Sequence, residues 1–133
     1  MPSRNVLIAD DDPDKLQMMK SIVQAAVPSA TLHISTSARQ ALAMSASLGP
    51  QIDVGVIDFD FPGEGLNGAD VIGDLRSRAP RARIACATSR RPGGMFDEAS
   101  AWTIAAGADH ALCSHAQNFE HDLRAVVAEG MSV

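Results

Sequence analysis

The stretch from Ile52 to Pro62, IDVGVIDFDFP, restricts the fold more than any other part of the chain. Its apolar residues Val54, Val56 and Ile57 form a run too short for a helix and rich in β-branching. Pro62 and Gly63 close it, as they would a parallel strand covered on both faces. We expect a buried strand whose last residue is Asp58, delivered to the rim of a sheet. Read alone, Asp58 and Asp60 are equally consistent with the first residues of a solvated loop. The rest of the chain has to supply both the neighbouring strands and the helices that cover them.

Val6 to Ala9 reads as a short buried strand that stops at Asp10, Asp11 and Asp12. Asp12 and Pro13 suit the cap and first turn of a helix, with Leu16, Met19, Ile22, Val23 and Ala26 at helical spacing and Pro28 beyond its end. Thr31 to Ser35 is a second strand. Ser37 caps a helix through Ala41, Leu42 and Leu48 that ends at Gly49 and Pro50. After the loop PGEGLNG, which lacks the lysine of a phosphate-binding P-loop, Ala69 to Ala79 is helical with Val71, Ile72 and Leu75 inward. A strand from Arg83 to Thr88 follows, then a loop with two arginines, Pro92, Gly93 and Gly94. Phe96 to Ala106 forms a helix with Ala99, Trp102, Thr103 and Ala106 along one side, stopped by Gly107. His110 to Cys113 is a last strand. Phe119, Leu123, Val126 and Val127 mark a final helix, with a few residues of tail.

Five strands alternating with five helices predict a doubly wound α/β fold, flavodoxin-like, with helices on both faces of a five-stranded parallel sheet. For the order 2-1-3-4-5, a site forms beyond the carboxyl ends of strands one and three. Asp10 and Asp11, Asp58, and the hydroxyls of Thr88 and Ser89 would meet there. Crowded carboxylates resist ionising together, so the cluster calls for a cation, and a hard oxygen-liganded ion, Mg²⁺ foremost, fits it.

At 133 residues, 46% hydrophobic and 20% charged, the chain suits one globular domain, residues 1–133, with no second domain. A net charge of -5 argues against nucleic acid as a partner. The six arginines from Arg76 to Arg91 read more readily as solvated surface than as a docking patch. Cys86 and Cys113 lie in apolar strands, as small hydrophobes rather than disulfide or zinc residues. No segment reads as a signal peptide or a membrane span, and the expected location is the cytoplasm.

The segments VLIADDDP, VIDFDFP, IACATS and GADHALCS together resemble the receiver domain of bacterial response regulators, and the resemblance covers the whole chain. It implies that Asp10 and Asp11 bind Mg²⁺ and that Asp58 accepts a phosphoryl group from a sensor histidine kinase or phosphotransfer protein. It further implies that Thr88 bonds that phosphoryl and that the Asp60 backbone carbonyl is a metal ligand. Such a domain is not a turnover enzyme and signals by protein contact, here through the fourth helix, fifth strand and fifth helix; a homodimer is allowed.

Two departures stand beside these matches. The family's lysine at the end of strand five falls on Ser114, with His115 next, and its aromatic switch residue falls on Ala111. Lys15 and Lys20 are the only lysines and are assigned to helix one, so the cation facing the acceptor is expected from Arg90, Arg91, His115 or nothing. Phosphorylation is then expected to be slow, and Ser114→Lys to improve it. The alternatives are a phosphorylation-independent pseudo-receiver, with Trp102 as an anchor if exposed, and a small haloacid-dehalogenase-like phosphatase, suggested by DFDF.

Overall fold

The computed structural model describes residues 4–131; the start of the N-terminal stretch read for a leader and the end of the tail lie outside the described residues. The strands are β1 (Asn5–Ala9), β2 (Thr31–Ser35), β3 (Ile52–Ile57), β4 (Arg83–Thr88) and β5 (His110–Cys113). The helices are α1 (Pro13–Ala26), α2 (Ala38–Leu48), α3 (Gly68–Arg78), α4 (Gly94–Ala106) and α5 (Phe119–Met131). All strand pairs are parallel, and the order is β2-β1-β3-β4-β5, as the sequence predicts.

Alternation along each strand builds two cores. From β1, Leu7 and Ala9 face one cluster while Val6 and Ile8 face the other. From β3, Ile57 joins the first, with Val71, Ile72 and Leu75 of α3, whereas Val54 and Val56 join the second, with Met19 and Val23 of α1 and Leu123 of α5. A period of two on a strand sends successive residues to opposite faces, so this short run must be apolar throughout. Gly55 leaves room for α3, because a Cβ there would come within 2.5 Å of Leu75 Cδ2.

The helix ends follow from their caps. Asp12 accepts from the Asp14 and Lys15 amides to start α1. α3 begins one residue earlier than expected because Asn67 and Asp70 form a reciprocal capping box. α4 begins two residues early, at Gly94, after Gly93 at φ 124°. A single 3-10 turn, Gly49–Gln51, fills the gap before β3, where the sequence predicts only the end of a helix. β3 stops at Ile57, so Asp58 is the first residue beyond the strand rather than its last.

Both cysteines are free and buried. Burial pushes the Cys86 thiol up to about 12, which keeps it protonated and inert. Among the described residues, no helix is long and apolar enough to cross a membrane.

Candidate functional site

The backbone carries the acidic strand ends to one rim. β1 and β3 are adjacent, the Asp58 amide continues the ladder by donating to the Ala9 carbonyl at 2.9 Å, and the Asp10 amide donates to Ser35 O at 3.0 Å. Asp10 and Asp58 are buried, Asp11 is exposed, and carboxylate oxygens of the three lie within 4.8 Å of one another. Thr88 ends β4, wholly buried, and its Oγ1 accepts from the Arg90 amide at 3.1 Å. Ser114 follows β5, and its amide donates to Thr88 O at 2.9 Å. Asp10, Asp11 and Asp58 are thus brought together as the sequence predicts, with Thr88 and Ser114 at the ends of the next two strands.

The expectation about the balancing cation is overturned. Lys15 folds inward from the first turn of α1 and is only 7% exposed. Its ammonium lies 2.9 Å from Asp10 Oδ2 and 3.2 Å from Asp58 Oδ1, and it donates to the Ala87 carbonyl at 2.6 Å. The buried ammonium donates hydrogen bonds to Asp58 Oδ1 and Ala87 O and stands in an ion pair with Asp10. Arg90 is occupied elsewhere: its Nε and Nη2 bond both oxygens of Asp60 at 3.0 and 2.9 Å, and its guanidinium covers the Phe59 ring at 4.6 Å. Arg91 and His115 are exposed. The sequence reading sets Lys15 aside because it belongs to helix one, far along the chain from Asp58. The usable signal was spacing: Lys15 stands four residues before Met19 and seven before Ile22, on the stripe that α1 buries.

One lysine between two buried carboxylates leaves the pocket short of positive charge. Burial raises the Asp58 carboxyl, against the pull of Lys15 and with added repulsion from Asp10, to about 7. Asp10 is raised as well, first by burial, with Lys15 opposing. The two oxygens of Asp58 are unequal. Oδ1 accepts from Lys15 and, at 2.8 Å, from the Phe59 amide, and neither bond uses Oδ2.

The loop after Asp58 is fixed at both ends. The Gly68 amide donates to Phe59 O at 2.7 Å, and a side chain at Gly68 would collide with the Asp58 carbonyl oxygen. Glu64 crosses to the start of α2, where its two oxygens accept from the Ala38 and Arg39 amides at 3.0 and 3.1 Å. Of the arginine run, Arg76 binds the carbonyls of Gly107, Pro80 and Ala82 and the Asp109 carboxylate, so part of that charge holds loops together.

No protein-family model and no curated protein matches the sequence. Solved structures do match. A response regulator receiver domain protein from Clostridium thermocellum superposes with a TM-score of 0.78 at 19% identity, over 96% of this chain and 94% of that one. The BeF3-activated receiver domain of DrrB gives 0.76 at 17%, covering 97% of each chain. The response regulator domain of Thermotoga maritima CheB gives 0.72 at 19%, covering 98% of each. The chain has the fold of response-regulator receiver domains.

On this receiver fold the acids suit a divalent cation. Asp10 Oδ2 is buried without a hydrogen bond and is held by the charge of Lys15 alone, so a lone pair stays free for a cation. Every side chain of the cluster offers oxygen, the donor that Mg²⁺ takes, and the exposed Asp11 offers a ligand on the solvent side.

Proposed function

We propose that residues 1–133 form one receiver unit, with no output region within them, that accepts a phosphoryl group on Asp58 and signals by protein contact. The observation that carries this reading is the Asp58 carboxylate itself: set at the rim of the sheet, gathered with Asp10 and Asp11, and with Oδ2 free of hydrogen bonds among the described residues while Oδ1 is held. In the proposed transfer, Oδ2 attacks phosphorus as the donor's bond to phosphorus breaks and the leaving group departs with that electron pair. The Lys15 ammonium at Oδ1 keeps the carboxylate oriented and offsets charge as the phosphoryl approaches. The Thr88 hydroxyl, whose oxygen already accepts from Arg90, has its proton free to donate to a phosphoryl oxygen. Mg²⁺ bound by Asp10, Asp11, Asp58 and the Asp60 carbonyl would neutralise phosphoryl charge. The physiological donor is then a histidine kinase or phosphotransfer protein in the cytoplasm, and the unit has at most self-phosphorylation and self-dephosphorylation activity.

The test is to incubate the protein with Mg²⁺ and a small acyl phosphate and to weigh it intact. One phosphoryl group should be gained, lost again to hydroxylamine, and not gained by Asp58→Asn. A gain that persists in Asp58→Asn would sink the assignment.

A second reading has its own support. Trp102 and Met95 are 59% and 65% exposed and stand seven residues apart on α4, so they share a side of that helix. Ala111, partly buried against the core, has no ring to reorient. A phosphorylation-independent partner that binds α4, β5 and α5 would use such a surface, and its binding would be unchanged by Asp58→Asn.

A further inference from the structure

We infer that Lys15 supplies, from helix α1, the cation that contacts the phosphoryl group on Asp58, so that the site is complete without a lysine on strand β5. This rests on the reading of Asp58 as phosphoacceptor and goes beyond it by assigning a residue that the strand-end pattern does not mark.

Three observations support the assignment. The first is position: the ammonium touches the oxygen of Asp58 that is not needed for attack, and it is tied to Ala87 O, the carbonyl next to Thr88. It therefore ties the acceptor to the strand whose last residue, Thr88, would supply the hydroxyl for the same phosphoryl. A phosphoryl on Oδ2 adds negative oxygens beside the carboxyl group that the ammonium already holds. The second is the placement of Lys15 at the third residue of α1, among the unpaired amides of a helix N-terminus, where a cation is disfavoured by the helix dipole. Burying an ammonium there is tolerated only because two carboxylates and a carbonyl receive it. The third is elimination by geometry. Arg90 is held on Asp60 and Phe59, Arg91 and His115 are exposed, and Ser114 carries no charge. Among the described residues, Lys15 is the cation paired with Asp58.

In the transfer, the carboxylate of Asp58 becomes an acyl phosphate: the new oxygen–phosphorus bond forms at Oδ2 and the donor's oxygen–phosphorus bond breaks. The carboxylate of Asp58 gives up its charge, the donor's leaving group departs with one negative charge, and the phosphoryl oxygens bring their own charge to the site. Lys15 can meet the phosphoryl charge by turning the proton it gives Oδ1 toward a phosphoryl oxygen while its hydrogen bond to Ala87 O and its ion pair with Asp10 stay in place.

The test compares labelling rates by a small acyl phosphate at fixed Mg²⁺, read by intact mass, with thermal melts to confirm folding. Lys15→Met should label about tenfold more slowly or worse, the factor for losing one charge-assisted hydrogen bond in the transition state. Adding Ser114→Lys to Lys15→Met should recover most of the rate, whereas Ser114→Lys alone should give little gain because an ammonium is already present. A purely structural role for Lys15 would show no such rescue. Should Lys15→Met fail to fold, the wild type decides: its crystal structure with Mg²⁺ and beryllium trifluoride, a phosphoryl mimic, should place Lys15 Nζ against a fluorine. Wild type that labels while Lys15→Met labels equally fast, or a mimic contacted by Arg91 or His115 with Lys15 turned away, overturns the assignment and leaves the acceptor standing. Wild type that neither labels nor binds the mimic overturns both.

Discussion

Asp58 is a carboxylate on which burial and pairing pull in opposite directions, and its response to pH shows which is stronger. With an ordinary value of 3.8 in the unfolded chain and about 7 in the fold, the native state holds the proton more tightly. Stability contributed by the protonated group is fully present below about 3.8 and is lost as pH rises through about 7. The melting temperature of the metal-free protein should therefore fall between pH 5 and 8 (roughly the upper part of that window). Asp58→Asn should flatten the slope and raise the melting point at pH 8, because Lys15 then faces Asp10 alone as a balanced pair. Each kcal/mol relieved is worth about 3 to 6 °C in a domain of this size. A lower melting point for Asp58→Asn at pH 8 would mean that the Lys15 pair outweighs desolvation. Asp10, Asp11, Asp58 and Thr88 were legible because a residue at or just past a strand end has its position set by the strand. Lys15 was not, since a long flexible stem reaches its partners across tertiary space, and only its phase on the apolar stripe of α1 gave it away.

The elements repeat this contrast between local and non-local information. β2, β4 and β5 run between the residues at which the sequence sets them, because β-branched and apolar runs bounded by turn residues carry their own limits. The loop from Asp60 to Asn67 was legible only as glycine-rich, because what orders it is Glu64, a residue bonded to a helix 25 positions away. Glu64 stands in front of the first amides of α2, where unpaired N–H groups and the helix dipole favour a carboxylate, while Ser37 caps the next amide, that of Gln40. Glu64→Ala should cost about 1 kcal/mol, the usual effect of losing a helix cap. Urea unfolding measures that cost, and amide hydrogen exchange should quicken at Ala38 and Arg39 while β3 stays protected. Unchanged exchange at those amides would show that solvent serves them as well as Glu64 does.

Across the whole molecule, stability and the charge of the rim are linked. Two cores on either side of the sheet fix the ends of β1 and β3 next to each other, so the fold itself imposes the meeting of Asp10, Asp11 and Asp58. An unfolded chain has no such cluster, and a cation that binds the cluster stabilises only the native state. At ten times its dissociation constant the gain is about 1.4 kcal/mol, or about 4 to 8 °C in melting temperature. Mg²⁺ should give a rise of that order, and NaCl at equal ionic strength should give little, because general screening acts on the net charge of -5 and not on one pocket. Asp11→Asn is the discriminating variant. Asp11 is exposed and forms no ion pair with Lys15, so its loss removes a ligand while leaving the Asp10, Lys15 and Asp58 contacts in place. It should melt like the wild type without Mg²⁺ and lose most of the Mg²⁺-dependent rise. If Asp11→Asn keeps the full rise, the ion is held elsewhere on the acidic surface, and Lys15 is then the only cation the three acids require.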